Sequence, residues 1–160
     1  MSENRRHSDL EVWHVIGSLD VGGAERFLVE LTNGLKTEKI TQKVVALKPG
    51  GRLTPILRKN SIEVIEVGFQ VRSIWKLLLQ LRRNRNIIIQ TWLYHSDLFA
   101  SLLIRCFADN PILWGVHNGT VARERFNWKT WYTMKTCARI SGWLPTKIVC
   151  CATKSSELHV

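Results

Sequence analysis

Apolar strand-like runs alternate with amphipathic helical segments along the whole chain, and this alternation restricts the fold more than any other feature. Val12 to Gly17 is a short apolar run that leads into Ser18. Behind it Ala24, Phe27, Leu28, Leu31 and Leu35 recur at i, i+3, i+4, i+7 and i+11, the spacing of one helix face. The pattern then predicts a strand at Lys43 to Leu47, a short helix at Arg52 to Lys59, a strand at Glu63 to Val67 and a helix at Ile74 to Arg83. It continues with strand at Ile87 to Thr91, helix at Leu98 to Phe107, strand at Ile112 to Val116, helix at Trp128 to Ile140 and strand at Lys147 to Ala152. Pro49-Gly50-Gly51, Asn60-Ser61, Asn84 to Asn86, Asn110-Pro111 and Ser141-Gly142 punctuate the segments. Strands such as Ile87-Ile88-Ile89 and Ile148-Val149-Cys150-Cys151 are apolar throughout, as parallel strands covered on both faces must be. The expectation is an α/β protein with one doubly wound, mainly parallel sheet and helices on both faces.

The 160 residues fit one such domain or two very small ones, and 45% hydrophobic content is enough for a packed core. Residues 1–10 read as a polar tail and 11–160 as the domain. Ser155 to Val160 looks like a capped helix that has barely begun, so the chain is expected to stop inside an element. Cys106, Cys137, Cys150 and Cys151 lack metal-ligand spacing, which argues against zinc and against a disulfide framework. No secretory signal precedes the first strand, and the uncharged stretch from Asn110 to Ala122 is short of the roughly 18–20 apolar residues a membrane span needs. A cytoplasmic protein, peripheral on the inner face of the membrane if it meets lipid at all, is the default.

With 23 Lys and Arg against 13 Asp and Glu, the net charge of +10 implies an anionic partner: nucleic acid, a lipid surface or a phosphorylated small molecule. The cations cluster. Arg72, Lys76, Arg82, Arg83 and Arg85 surround one apolar helix, and Arg123 through Arg139 carries five cations interleaved with Phe126, Trp128, Trp131 and Tyr132. Two solvated amphipathic helices would look like this, and so would a surface that docks on anionic lipid with Trp at headgroup depth.

In a doubly wound sheet the ligand lies beyond the carboxyl ends of the strands, where strand order reverses. Three loops then matter: Ser18 to Gly23, Trp92 to Ser96, and His117-Asn118-Gly119-Thr120. Gly22-Gly23 at a helix start either forms a tight turn or lets an anion reach backbone N–H groups at the positive end of the helix dipole. The G-x-G-x-x-G and G-x-x-x-x-G-K-[ST] fingerprints are absent, and Leu47-Lys48 stands where a ribose-binding acid would be expected, so a dinucleotide cofactor is disfavoured. His95 and His117 each follow a buried strand, and imidazole can donate or accept a hydrogen bond near neutral pH. His14, inside the first strand, and His159 are assigned to structure or to no role.

The ordered set Gly22-Gly23-Ala24-Glu25, Gln90-Thr91-Trp92-Leu93-Tyr94-His95-Ser96-Asp97 and Trp114-Gly115-Val116-His117-Asn118 resembles the amino-terminal domain of family 4 glycosyltransferases. These are retaining enzymes of the GT-B fold, in which two Rossmann-like domains face each other. The resemblance implies hexose transfer from a nucleotide diphosphate sugar to a lipid-linked or polysaccharide acceptor, without a required metal or other cofactor. It implies that Gly22 and Gly23 approach the donor phosphates or the acceptor, and that His117 hydrogen-bonds the transferring sugar as the catalytic group. Asn118 beside it, and His95 in the neighbouring loop, would bind substrate. No carboxylate pair suggests glycosidase chemistry, since Asp20 and Glu25 have no defined direction.

In that family the carboxyl-terminal domain grips the donor through a Glu-x₇-Glu motif. Glu30 and Glu38 share the spacing but fall on a helix and the loop after it, a chance match. The resemblance therefore implies half an enzyme, inactive alone, whose partner is a separately encoded or missing carboxyl-terminal half. The competing class is a nonenzymatic basic module that binds nucleic acid or anionic membrane. No RNP-like, zinc-finger or helix-turn-helix signature supports a nucleic-acid partner, so none is expected.

Overall fold

A computed structural model describes residues 10–38, 40–116 and 127–150. Its strands are β1 (Glu11–Ile16), β2 (Thr41–Ala46), β3 (Glu63–Glu66), β4 (Ile87–Trp92), β5 (Ile112–Val116) and β6 (Lys147–Cys150). Its α-helices are α1 (Gly23–Gly34), α2 (Thr54–Lys59), α3 (Val71–Arg83), α4 (Tyr94–Phe107) and α5 (Trp128–Ile140). The six strands form one parallel sheet in the order β3-β2-β1-β4-β5-β6. This is the doubly wound order of a Rossmann-like domain, with its reversal between β1 and β4.

Alternation along each strand sorts the side chains into two cores. Trp13, Val15, Ile89, Ile112 and Trp114 face one way and are buried with Leu78, Leu81, Ile104 and Met134 from α3, α4 and α5. Ile16, Val44, Ala46 and Trp92 face the other way and meet Leu28 and Leu57 from α1 and α2. Leu28 and Leu57 are fully enclosed, and burial of each stabilises the fold by about 1.5–3 kcal/mol. The apolar run at Ile87 is thus a strand covered on both faces, as expected, whereas the run at Ile148-Val149 is not: β6 is the sheet edge and both side chains are exposed.

Polar side chains fasten the layers where backbone ladders end. Asn110 donates from Nδ2 to the carbonyls of Asn84 and Ile87, at 2.8 and 3.1 Å, and so holds the α3–β4 connection to the start of β5. Trp114 Nε1 donates to Ser101 Oγ at 2.7 Å and joins β5 to α4 inside the core. His14 is wholly enclosed between β2 and β4, edge-on to Trp92 with ring centroids 6.0 Å apart. Burial lowers its pKa to about 4, with Gln42 and Gln90 opposing the shift, and neither ring nitrogen makes a hydrogen bond among the described residues.

Two boundaries differ from the sequence reading in ways that bear on function. The helix predicted from Leu98 begins at Tyr94, so His95 lies in the first turn of α4 rather than in a loop. The turn from β4 is made by Leu93 alone, whose carbonyl accepts from the N–H groups of Ser96 and Asp97. Helix α3 likewise starts at Val71, before the predicted Ile74. In both cases the first turn carries polar residues or lacks the apolar repeat by which periodicity recognises a helix.

Candidate functional site

At the reversal between β1 and β4 a cleft of about 660 Å³ opens beyond the carboxyl ends of the strands. Gly17 and Ser18 follow β1, Leu47 and Lys48 follow β2, and Leu93, His95 and Ser96 follow β4. The lining is divided. Ser18, Glu25, Lys48, His95, Ser96 and Thr133 are polar, whereas Leu47, Phe69, Leu93, Leu98, Phe99 and Leu102 form an apolar wall.

Two unusual pieces of backbone lie in the loops that follow the strands. Gly51 is buried against the β1–α1 loop, where an added Cβ would lie 2.7 Å from Leu19 Cα and carbonyl carbon. The same loops are joined by Leu53 N–H donating to the Leu19 carbonyl at 2.9 Å. Leu93 has φ 69° and ψ 148°, a region almost reserved for glycine, at a cost of about 1–3 kcal/mol. That strain lets β4 turn into α4 within one residue and sets His95 and Ser96 at the cleft.

His95 bridges to α5. Its Nε2 lies 3.3 Å from Thr130 Oγ1 and its Nδ1 lies 3.3 Å from Thr133 Oγ1. Because Thr133 gives its proton to the Lys129 carbonyl at 2.9 Å, Nδ1–H is the donor to Thr133. A substrate hydroxyl meeting His95 must therefore share or displace a threonine. Ser96 differs: its Oγ is buried at the cleft floor and has no hydrogen-bond partner among the described residues.

Gly22 precedes α1 with an extended φ of −144°, and neither Gly22 nor Gly23 has the positive φ that would make glycine a backbone necessity. An added Cβ on Gly23 would meet open space, and on Gly22 only the carboxylate of Glu25. The pair keeps the amino end of α1 uncovered, while Glu25 folds back over it and supplies the negative charge that such an end favours. Among the sequence-predicted residues, His95 borders the cleft directly and Gly22 and Gly23 flank it through Glu25. His117 and Asn118 lie outside the described residues, just past the end of β5.

Behind the first turn of α4 a second cavity, of about 230 Å³, is lined by Asp97, Tyr94, Trp114 and Cys137 among others. Asp97 is 1% exposed and accepts a 2.6 Å hydrogen bond from Thr91 Oγ1. Burial raises its pKa to about 7 despite that bond. Cys137 is pushed up to about 12, by burial first and by Asp97 second, so it stays a thiol and donates to the Tyr94 carbonyl at 3.5 Å. Neither Ser96 nor Asp97, both within the Gln90–Asp97 motif, is assigned a role from the sequence. The signal for Asp97 was available: a carboxylate at helical spacing beside Tyr94 and Ala100 on the core side of the helix.

No group of three or more His, Cys, Asp or Glu is arranged to hold a metal among the described residues. No described helix is long and apolar enough to cross a membrane. Fold and site together define a Rossmann-like α/β domain with an open, mixed polar and apolar crevice at its switch point. Comparison with models of known protein families and with curated protein sequences finds no match.

Proposed function

We propose that this domain is the acceptor-binding half of a retaining, GT-B type glycosyltransferase of family 4, acting on a nucleotide diphosphate sugar. The observation that carries the proposal is convergence: residues from separate motifs, Ser18 and Glu25 from the first loop and helix and His95 and Ser96 from the fourth, wall one cleft at the switch point. The third motif runs through the end of β5, the strand paired with β4. Catalysis in such an enzyme rests on stabilising charge as the diphosphate leaves and the sugar becomes oxocarbenium-like, a task for fixed dipoles rather than a strong base. Under this reading His117 and Asn118 meet the transferring sugar, and the Gly22-Gly23 end of α1 faces the donor phosphates or the acceptor. Donor recognition falls to a second Rossmann-like domain, supplied by further chain or by another polypeptide.

Exposed aromatic and cationic side chains on α3 and α5 support action at an anionic membrane. Trp75 on α3, Trp128 and Tyr132 on α5 and Trp143 beyond it are all exposed. Cations stand with them: Lys129 Nζ lies 5.6 Å from the Trp128 ring centre, and α3 ends in Arg82 and Arg83. The same surface keeps a nonenzymatic nucleic-acid-binding module as the rival reading. Labelled-sugar transfer tests the proposal: it is expected only when a donor-binding domain is added, and transfer by the 160-residue chain alone would contradict the half-enzyme assignment.

A further inference from the structure

Resting on the acceptor-side reading, we infer that the cleft takes an amphiphile, an uncharged sugar head joined to an apolar chain, rather than a phosphorylated or purely saccharide acceptor. The apolar wall is the first ground. Phe69 has φ 55° and follows Gly68 at φ 60°, two successive left-handed residues after β3. A bulky residue in that conformation is strained, and its ring is nonetheless held 52% exposed at the cleft, edge-on to Phe99 at 5.8 Å. Leu102 continues the wall outward and is also exposed. Inward, Leu47 and Phe99 are shared with a wholly apolar cavity of about 60 Å³ between the sheet and α3 and α4, which gives the wall apolar depth.

Charge is the second ground. Among the described residues that line the cleft the charges balance, one lysine (Lys48) and one carboxylate (Glu25), and His95 is engaged by two threonines. A phosphate would meet Glu25 over the start of α1, a carboxylate that already answers that helix dipole. Hydroxyl groups suit the polar wall better. Ser96 Oγ is buried there without a partner among the described residues, Glu25 can accept, and Lys48 can donate.

The test uses the full chain and a series of butyl, hexyl and octyl glucosides held below their micelle concentrations, with free glucose and inorganic phosphate as controls. Titration calorimetry is expected to show affinity rising roughly three- to fourfold per added methylene until the wall is filled, with no competition from phosphate. Phe69→Gly relieves the strained backbone while removing the ring, so it is expected to keep or raise Tm yet flatten the chain-length dependence. Affinity independent of chain length, displacement by phosphate, or an unchanged slope in Phe69→Gly would each overturn the inference. Because binding is read without transfer, a failed transfer assay leaves this result standing. A flat chain-length series beside intact transfer would remove only the amphiphile.

Discussion

Thr91 at the end of β4 donates a 2.6 Å hydrogen bond to Asp97 in the first turn of α4, spanning the strained Leu93 between them. The pair fixes the direction in which α4 leaves the sheet, and with it the positions of His95 and Ser96 at the cleft. The carboxyl group is enclosed and titrates near pH 7. On the opposite face of the sheet His14 is equally enclosed and titrates near pH 4.

These two groups oppose each other in the pH dependence of stability. Asp97 has a folded pKa above its unfolded value, so the unfolded chain loses its proton first and stability falls as pH rises from about 4 to about 7. His14 has a folded pKa below its unfolded value, so stability falls as pH drops from about 6.5 toward 4. Each is worth up to about 3–4 kcal/mol over that window, and the wild-type contributions largely cancel. Asp97→Asn is expected to unmask a loss on acidification, and His14→Leu a gain. Urea unfolding at pH 4.5 and pH 7 should show the two slopes with opposite signs, to within about 1 kcal/mol.

Gly51 and Gly23 separate packing from access. Gly51→Ala forces a methyl against the Leu19 backbone and is expected to destabilise by about 1–3 kcal/mol. Gly23→Ala meets open space, and its stability should stay within about 0.5 kcal/mol of wild type. If substrate approaches the α1 end, Gly23→Ala lowers transfer without moving the unfolding midpoint.

Leu93 offers a direct reading of stored strain. Leu93→Ala loses contacts and keeps the disfavoured φ, whereas Leu93→Gly loses the same contacts and relieves it. The glycine variant should therefore be more stable than the alanine variant by about 1–3 kcal/mol in denaturant unfolding. Equal stabilities would show that the turn is not strained.

The basic helices predict salt-sensitive association with anionic vesicles. Arg82, Arg83 and Arg85 at the end of α3 should each contribute about 1 kcal/mol if they face the membrane. Replacing all three with Gln is expected to abolish the preference for anionic over neutral vesicles in a sedimentation assay. Tight binding of single-stranded nucleic acid instead would favour the rival module.

Much of the architecture was legible because parallel strands such as Ile87–Trp92 are apolar on both faces and the helices between them repeat at helical spacing. The switch-point rule then located the cleft from strand order alone. What periodicity could not reveal was the start of α4, since Tyr94 to Asp97 is mostly polar and its turn rests on one strained leucine. Nor could it distinguish the glycines: Gly51 is pressed against the Leu19 backbone, Gly22 faces the Glu25 carboxylate, and Gly23 alone of the three meets open space. Phe69 and Lys48 reach the cleft through loops whose paths depend on tertiary packing, and no local pattern marks them.

Sugar transfer by this chain mixed with the polypeptide encoded immediately downstream, or with another nucleotide-sugar-binding domain, is the decisive measurement. Transfer to an alkyl glucoside should require both polypeptides and should fall in Ser96→Ala, which removes the buried hydroxyl without adding volume. Transfer that proceeds without the second domain, or that ignores Ser96→Ala, would contradict the assignment of this cleft as the acceptor site of a divided glycosyltransferase.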